Sequence, residues 1–111
     1  MQYTEFANSG RQVSRVAFGA MGLNCAFGSF AERDLIKAVH HSLDRGVNFI
    51  DTARTYGDAE MILSKALKQW SGEMPVIASK AAPTGTCEIN GWGIPYPYST
   101  SYAKVTVIES F

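Results

Sequence analysis

Neither sign of charge prevails in this sequence: ten Lys and Arg balance ten Asp and Glu, for a formal net charge of zero. No basic face for nucleic acid or anionic lipid is announced, and neither partner is expected. Cysteine is scarce. Cys25 and Cys87 lie far apart, matching neither a compact zinc spacing nor a CxxC redox pair, so two reduced thiols and no metal site are expected. Long apolar runs are also missing: nothing approaches the roughly 18 residues needed to span a bilayer. The opening "MQYTEFANSGRQ" has no apolar core of signal-peptide length, so the expected location is cytoplasmic. A phosphate loop is lacking too, which counts against a small doubly wound nucleotide-binding domain.

What remains is ample for a core. With 46% hydrophobic and 12% aromatic side chains over 111 residues, the chain is too apolar for a disordered tail and falls in the size range of one globular unit.

The order of elements is that of an α/β protein. "NSG" reads as the turn of an opening hairpin, and Val16 to Gly19 as the first strand after it. "SFAERDLIKAVHHSLDRG" reads as a helix, with Ser29 and Glu32 at capping-box spacing, Leu35, Ile36, Val39 and Leu43 on one face, and Gly46 as the stop. "VNFID" is the second strand. "DAEMILSKALKQW" repeats the plan, with Asp58 as the cap and Ile62, Ala66, Leu67 and Trp70 inward, and "VIASK" is the third strand. Strands starting at Val16, Val47 and Val76 are roughly 30 residues apart, the length of a strand, helix, strand unit with a parallel crossover.

Beyond Lys80 the composition changes. Residues 81–102 are rich in Pro, Gly, Ser and Thr without helical period, and read as a long loop in which Trp92, Tyr96 and Tyr98 suit a binding loop or packing onto the scaffold. "YAKVTVIESF" fits a helix or a strand.

The polar residues at strand ends carry the chemistry. Val47, Phe49 and Ile50 form an apolar run that stops on Asp51, an acid a core avoids unless it is paired. Lys80 ends the third strand, and Tyr56 lies in the loop after Asp51. In parallel α/β folds such ends share one opening. A lysine and an aspartate there hold each other charged, and a tyrosine beside the lysine has its phenolate favoured, as suits an acid protonating a carbonyl oxygen while its carbon accepts a hydride. Taken singly, an acid after a strand is often only a cap and a terminal lysine is usually solvated; the combination in this order raises the odds.

These residues resemble a known family. "GVNFIDTARTYGDAE" closely resembles the aldo-keto reductase signature, "VIASK" that family's third barrel strand with its lysine, and "RVAFGAMGL" its first strand and following loop. The resemblance implies the amino-terminal part of a (β/α)8 TIM barrel, residues 1–111, comprising the hairpin and about three β/α units. It implies an NADPH-dependent oxidoreductase acting on aldehydes, ketones or alcohols as small-molecule substrates. Tyr56 is then the general acid, Lys80 the group that lowers its pKa, and Asp51 the partner of Lys80. Gly19, Ala20 and Met21, with Asp51, are implied at the nicotinamide end of the cofactor.

A whole barrel of this type takes about 250 residues. The histidine that follows the family's fourth strand, and its phosphate-binding segments, have no counterpart here; His40 and His41 fall inside the first helix. The 111-residue chain alone is therefore expected to be inactive, marginal in stability and prone to self-association through unpaired sheet edges. The alternative expectation is a non-catalytic product acting by association with another protein.

Overall fold

The structure, a computed structural model, describes residues 1–80. The readings made for residues 81–102, for the closing segment and for Cys87 lie outside the described residues. Cys25 is a free, exposed thiol. No helix among the described residues is long and apolar enough to cross a membrane.

A hairpin comes first. Strands β1 (Tyr3–Glu5) and β2 (Gln12–Ser14) pair antiparallel, and the turn between them is closed by the Phe6 N–H donating to Arg11 O at 2.8 Å. Beyond itself it makes one aromatic contact, the Phe6 ring tilted against Phe49 at 5.5 Å between centroids, and several polar ones. Ser14 and Asn48 exchange bonds, Ser14 N to Asn48 Oδ1 at 2.6 Å and Asn48 N to Ser14 Oγ at 3.1 Å, and Arg11 Nη2 donates to Met74 O at 2.6 Å. The hairpin is thus fastened to the residues just before the second and third strands of the sheet.

Three short strands then form a parallel sheet in the order β3 (Phe18–Gly19), β4 (Phe49–Asp51), β5 (Val76–Ala78), as the spacing of the apolar runs predicts. The first begins later than Val16, which is 60% exposed. The Ser14 hydroxyl donates to Val16 O at 2.7 Å, holding the exit from the hairpin in a bend, and Val16 lies in that bend rather than in the ladder.

The register decides which residues face the core. Phe18, Ile50 and Ile77 share one row, and all three pack with the helices; Ile50 is fully buried. The next row is Gly19, Asp51 and Ala78. Side chains alternate along a strand, so Asp51 points away from the face that Ile50 buries.

Helix α1 (Glu32–Asp44) buries Leu35, Ile36, Val39 and Leu43, the stripe expected from its period. Its start differs from the capping box expected at Ser29 and Glu32. Ala31 is the N-cap residue, in extended conformation, and no side chain bonds the first turn. Glu32 is instead drawn across to α2, where Lys65 Nζ donates to its carboxylate at 2.9 Å. Gly46 stops the helix at φ +90°, its N–H donating to Leu43 O at 2.9 Å.

Helix α2 (Ala59–Lys68) follows β4 with Asp58 at its N-cap, though the Asp58 side chain makes no cap bond. It buries Ile62, Leu63, Ala66 and Leu67 against α1, and each of the Ile and Leu side chains removed from water contributes about 1.5–3 kcal/mol. Trp70 lies beyond its last turn, half-buried against the His40 ring at 5.8 Å. His40 Nε2 is 2.7 Å from Ala66 O, so this histidine is a polar tie between the two helices.

Candidate active site

Asp51 is the last residue of β4, Tyr56 sits in the turn that enters α2, and Lys80 follows β5 by two residues. The turn has its own logic: Tyr56 N donates to Ala53 O at 3.1 Å and Ala59 N to Tyr56 O at 3.0 Å, so two successive tight turns deliver the chain from strand to helix. Gly57 is at φ +54°, the left-handed conformation that suits glycine. The Tyr56 ring packs against the core, and its hydroxyl is turned to the strand ends.

The three side chains converge. Lys80 Nζ donates to Asp51 Oδ1 at 2.8 Å and Oδ2 at 2.9 Å, to Thr52 O at 2.9 Å, and reaches Tyr56 Oη at 3.4 Å. The same ammonium stands 5.1 Å from the centre of the Tyr56 ring, within range of a cation–π contact. Desolvation by burial pulls the Lys80 pKa down; the hydrogen bonds it donates to Asp51 and Tyr56 and their charges together outweigh it, so the ammonium titrates above its ordinary value of 10.5. It is a firmly held cation at neutral pH.

The residues expected beside a cofactor fall into two kinds. Gly19 pairs with Asp51 at the sheet end, and a Cβ built there would meet open space. Met21 is exposed. Ala20 opens a short 3-10 helix (Ala20–Asn24), and its methyl is wholly buried in the core, which leaves its main chain as what it can offer.

Two features were not anticipated from the residues. The Thr52 carbonyl is a third acceptor for Lys80, invisible in sequence because main-chain acceptors carry no residue signature. Ser79 Oγ donates to Glu60 Oε1 at 2.8 Å, joining the residue before Lys80 to the first turn of α2. The placement of Glu60 four residues after Tyr56 is the one sequence signal for it. Among the described residues the buried Thr52 Oγ1 meets no hydrogen-bond partner, and Thr52 borders an open cleft of about 270 Å3 lined mainly by α2 and by Ile77 of β5.

Comparison with known proteins shows which family the chain resembles. The family model of the Aldo/keto reductase family matches residues 15–111. Among curated relatives, a probable aldo-keto reductase from Glycine max is 36% identical over 83 residues, 72% of this chain and 24% of that protein. The L-galactose dehydrogenase of Arabidopsis thaliana is 43% identical over 63 residues, 55% of this chain and 20% of that protein. Among solved structures, the holo form of an aldo-keto reductase from Bacillus halodurans superimposes with a TM-score of 0.74 at 28% identity, over 99% of this chain and 35% of that one. The chain spans about a quarter of the length of the curated relatives it matches.

Proposed function

The chain belongs to the aldo/keto reductase family, as the amino-terminal portion of a (β/α)8 barrel, and from that premise we propose that it carries the proton-transfer half of an NADPH-dependent carbonyl reductase site. The observation that carries this reading is Lys80 Nζ held by both Asp51 oxygens and lying 3.4 Å from Tyr56 Oη.

Tyr56 is the general acid. As hydride adds to the carbonyl carbon of an aldehyde or ketone, the electron pair of the C=O bond moves to oxygen, and Tyr56 Oη–H supplies the proton that completes the alcohol. The negative charge left on Oη forms beside a fixed ammonium, and Lys80 stabilises it without reorienting. Asp51 and the Thr52 carbonyl aim that ammonium, which on a free lysine stem would sample many rotamers. Water reprotonates Tyr56 for the next turnover; run backwards, the same groups accept a proton from an alcohol.

The open side of Gly19, the exposed Met21 and the half-exposed Asp51, with the Ala20 main chain, would hold a nicotinamide ring. A bound reduced nicotinamide supplies the hydride. NADPH rather than NADH, and a small carbonyl or alcohol as substrate, are part of this proposal through family membership.

The test is Tyr56→Phe in the context of a full-length barrel, where the rest of the site is supplied. Carbonyl reduction is expected to fall by roughly 10²–10⁴-fold, the usual worth of a positioned acid, while NADPH binding, followed by nicotinamide fluorescence, stays as it was. Turnover retained in Tyr56→Phe removes the role assigned to that hydroxyl.

A further inference from the structure

Lys80 has an ion pair to hold its head, yet its main chain has left the sheet. Strand β5 ends at Ala78, whose carbonyl accepts the Thr52 N–H at 2.8 Å, and Ser79 and Lys80 follow outside the strand. A lysine stem is long enough to keep its ammonium near an aspartate from many backbone positions, so the ion pair alone sets the contact without setting the direction of approach. The Ser79 hydroxyl donating to Glu60 Oε1 at 2.8 Å supplies a second fixed point, one residue before Lys80.

Glu60 is well placed for this. It lies in the first turn of α2, which begins three residues after Tyr56 and is joined to it by the Ala59 N–H to Tyr56 O bond at 3.0 Å. The Glu60–Ser79 bond therefore ties the segment that carries Tyr56 to the segment that carries Lys80. Both residues are half-buried, where a hydrogen bond is stronger than at a fully wetted surface. We propose that Glu60 is a positioning residue: through Ser79 it holds the extension beyond β5 against α2 and so fixes the approach of Lys80 to Asp51 and Tyr56. This deepens the proposed function and rests on its assignment of Lys80.

A plainer role competes. An acid in the first turn of a helix is favoured by the helix dipole whatever else it touches. The two roles part at Glu60→Gln, which keeps a carbonyl acceptor for Ser79 and discards the charge that the dipole favours.

The readout is the acetylation of Lys80 by acetic anhydride between neutral and alkaline pH, quantified by peptide mass spectrometry on the whole protein with the exposed Lys37 as internal reference. Unsubstituted protein is expected to show Lys80 modified several-fold more slowly than Lys37. Glu60→Ala and Ser79→Ala are each expected to bring Lys80 close to the Lys37 rate, and Glu60→Gln to leave it protected. Ser79→Ala leaves α2 intact, so it gives the answer even where Glu60→Ala disturbs folding, which circular dichroism reports.

Lys80 still protected in Ser79→Ala, with Asp51→Asn releasing it, overturns the positioning role while leaving the ion pair standing. Glu60→Gln releasing Lys80 as fully as Glu60→Ala assigns the effect to charge and overturns it as well. Lys80 no better protected than Lys37 in the unsubstituted protein defeats both this inference and the proposed function beneath it.

Discussion

Lys80 reaches back 29 residues to grip Asp51 with one ammonium on two carboxylate oxygens, at 2.8 and 2.9 Å, across adjacent parallel strands. The pairing depends on register: Asp51 stands opposite Ala78, and the lysine stem spans the remaining distance from two residues further on. An exposed pair of this kind stabilises little by itself. Its worth lies in what it orients.

The pair makes stability depend on pH at the alkaline end. Since the folded-state pKa of Lys80 lies above 10.5, its contribution is complete below 10.5 and is lost as pH rises through the folded value. Melting temperatures of the wild type and Lys80→Met, measured from pH 8 to strongly alkaline solution, are expected to differ most below 10.5 and to converge above it. A gap that does not narrow in that range removes the ion pair as a source of stability.

Ile50 is the centre of the fold, fully buried between the sheet and both helices. Ile50→Ala is expected to cost about 2–5 kcal/mol, the range for emptying a packed aliphatic site. Urea unfolding followed by circular dichroism measures it. A change under about 1 kcal/mol, of the size found at surface positions, shows that the sheet is not seated on α1 and α2 as described.

Gly46 meets two obstacles to any side chain. Its φ is +90°, and a Cβ built on it would lie 2.7 Å from Tyr3 Oη, the same hydroxyl that donates to Gly46 O at 2.9 Å. Gly46→Ala is expected to destabilise by at least about 1 kcal/mol from backbone strain alone. In a Tyr3→Phe background the steric part disappears, so the cost of Gly46→Ala falls; equal costs in both backgrounds argue against the contact.

The bridge from Lys65 to Glu32 links α2 to α1 with both side chains nearly half exposed. Its removal in Lys65→Met is expected to cost no more than about 1 kcal/mol and less at high salt. A salt-independent loss well beyond that points to packing by the lysine stem instead.

The strands were legible because each is an apolar run of the right length, repeated at an interval that only a parallel crossover fills. The helical faces were legible for the same reason: Leu35, Ile36, Val39 and Leu43 recur with the helix period and are buried together. Where the reading failed, a competing polar contact had won. Ser29 and Glu32 have capping-box spacing, but Lys65 lies 33 residues from Glu32 and takes its carboxylate. Val16 belongs to an apolar run, but the bend held by Ser14 removes it from the ladder. At the site, Asp51, Tyr56 and Lys80 could be named from order along the chain, while the acceptor at Thr52 and the Glu60–Ser79 bond are matters of proximity in space that no spacing encodes.

The hairpin's fastenings say something about the order of synthesis. Its turn is local and can close as soon as residues 3–14 leave the ribosome, but a lone two-stranded hairpin is marginal in water. Its anchors, Asn48 and Met74, emerge 34 and 63 residues after Ser14 and Arg11, the residues that bind them. The first of the described strands to be made are therefore the last to be seated, and the nascent chain must carry an unsettled hairpin until nearly all of the described fold has been translated.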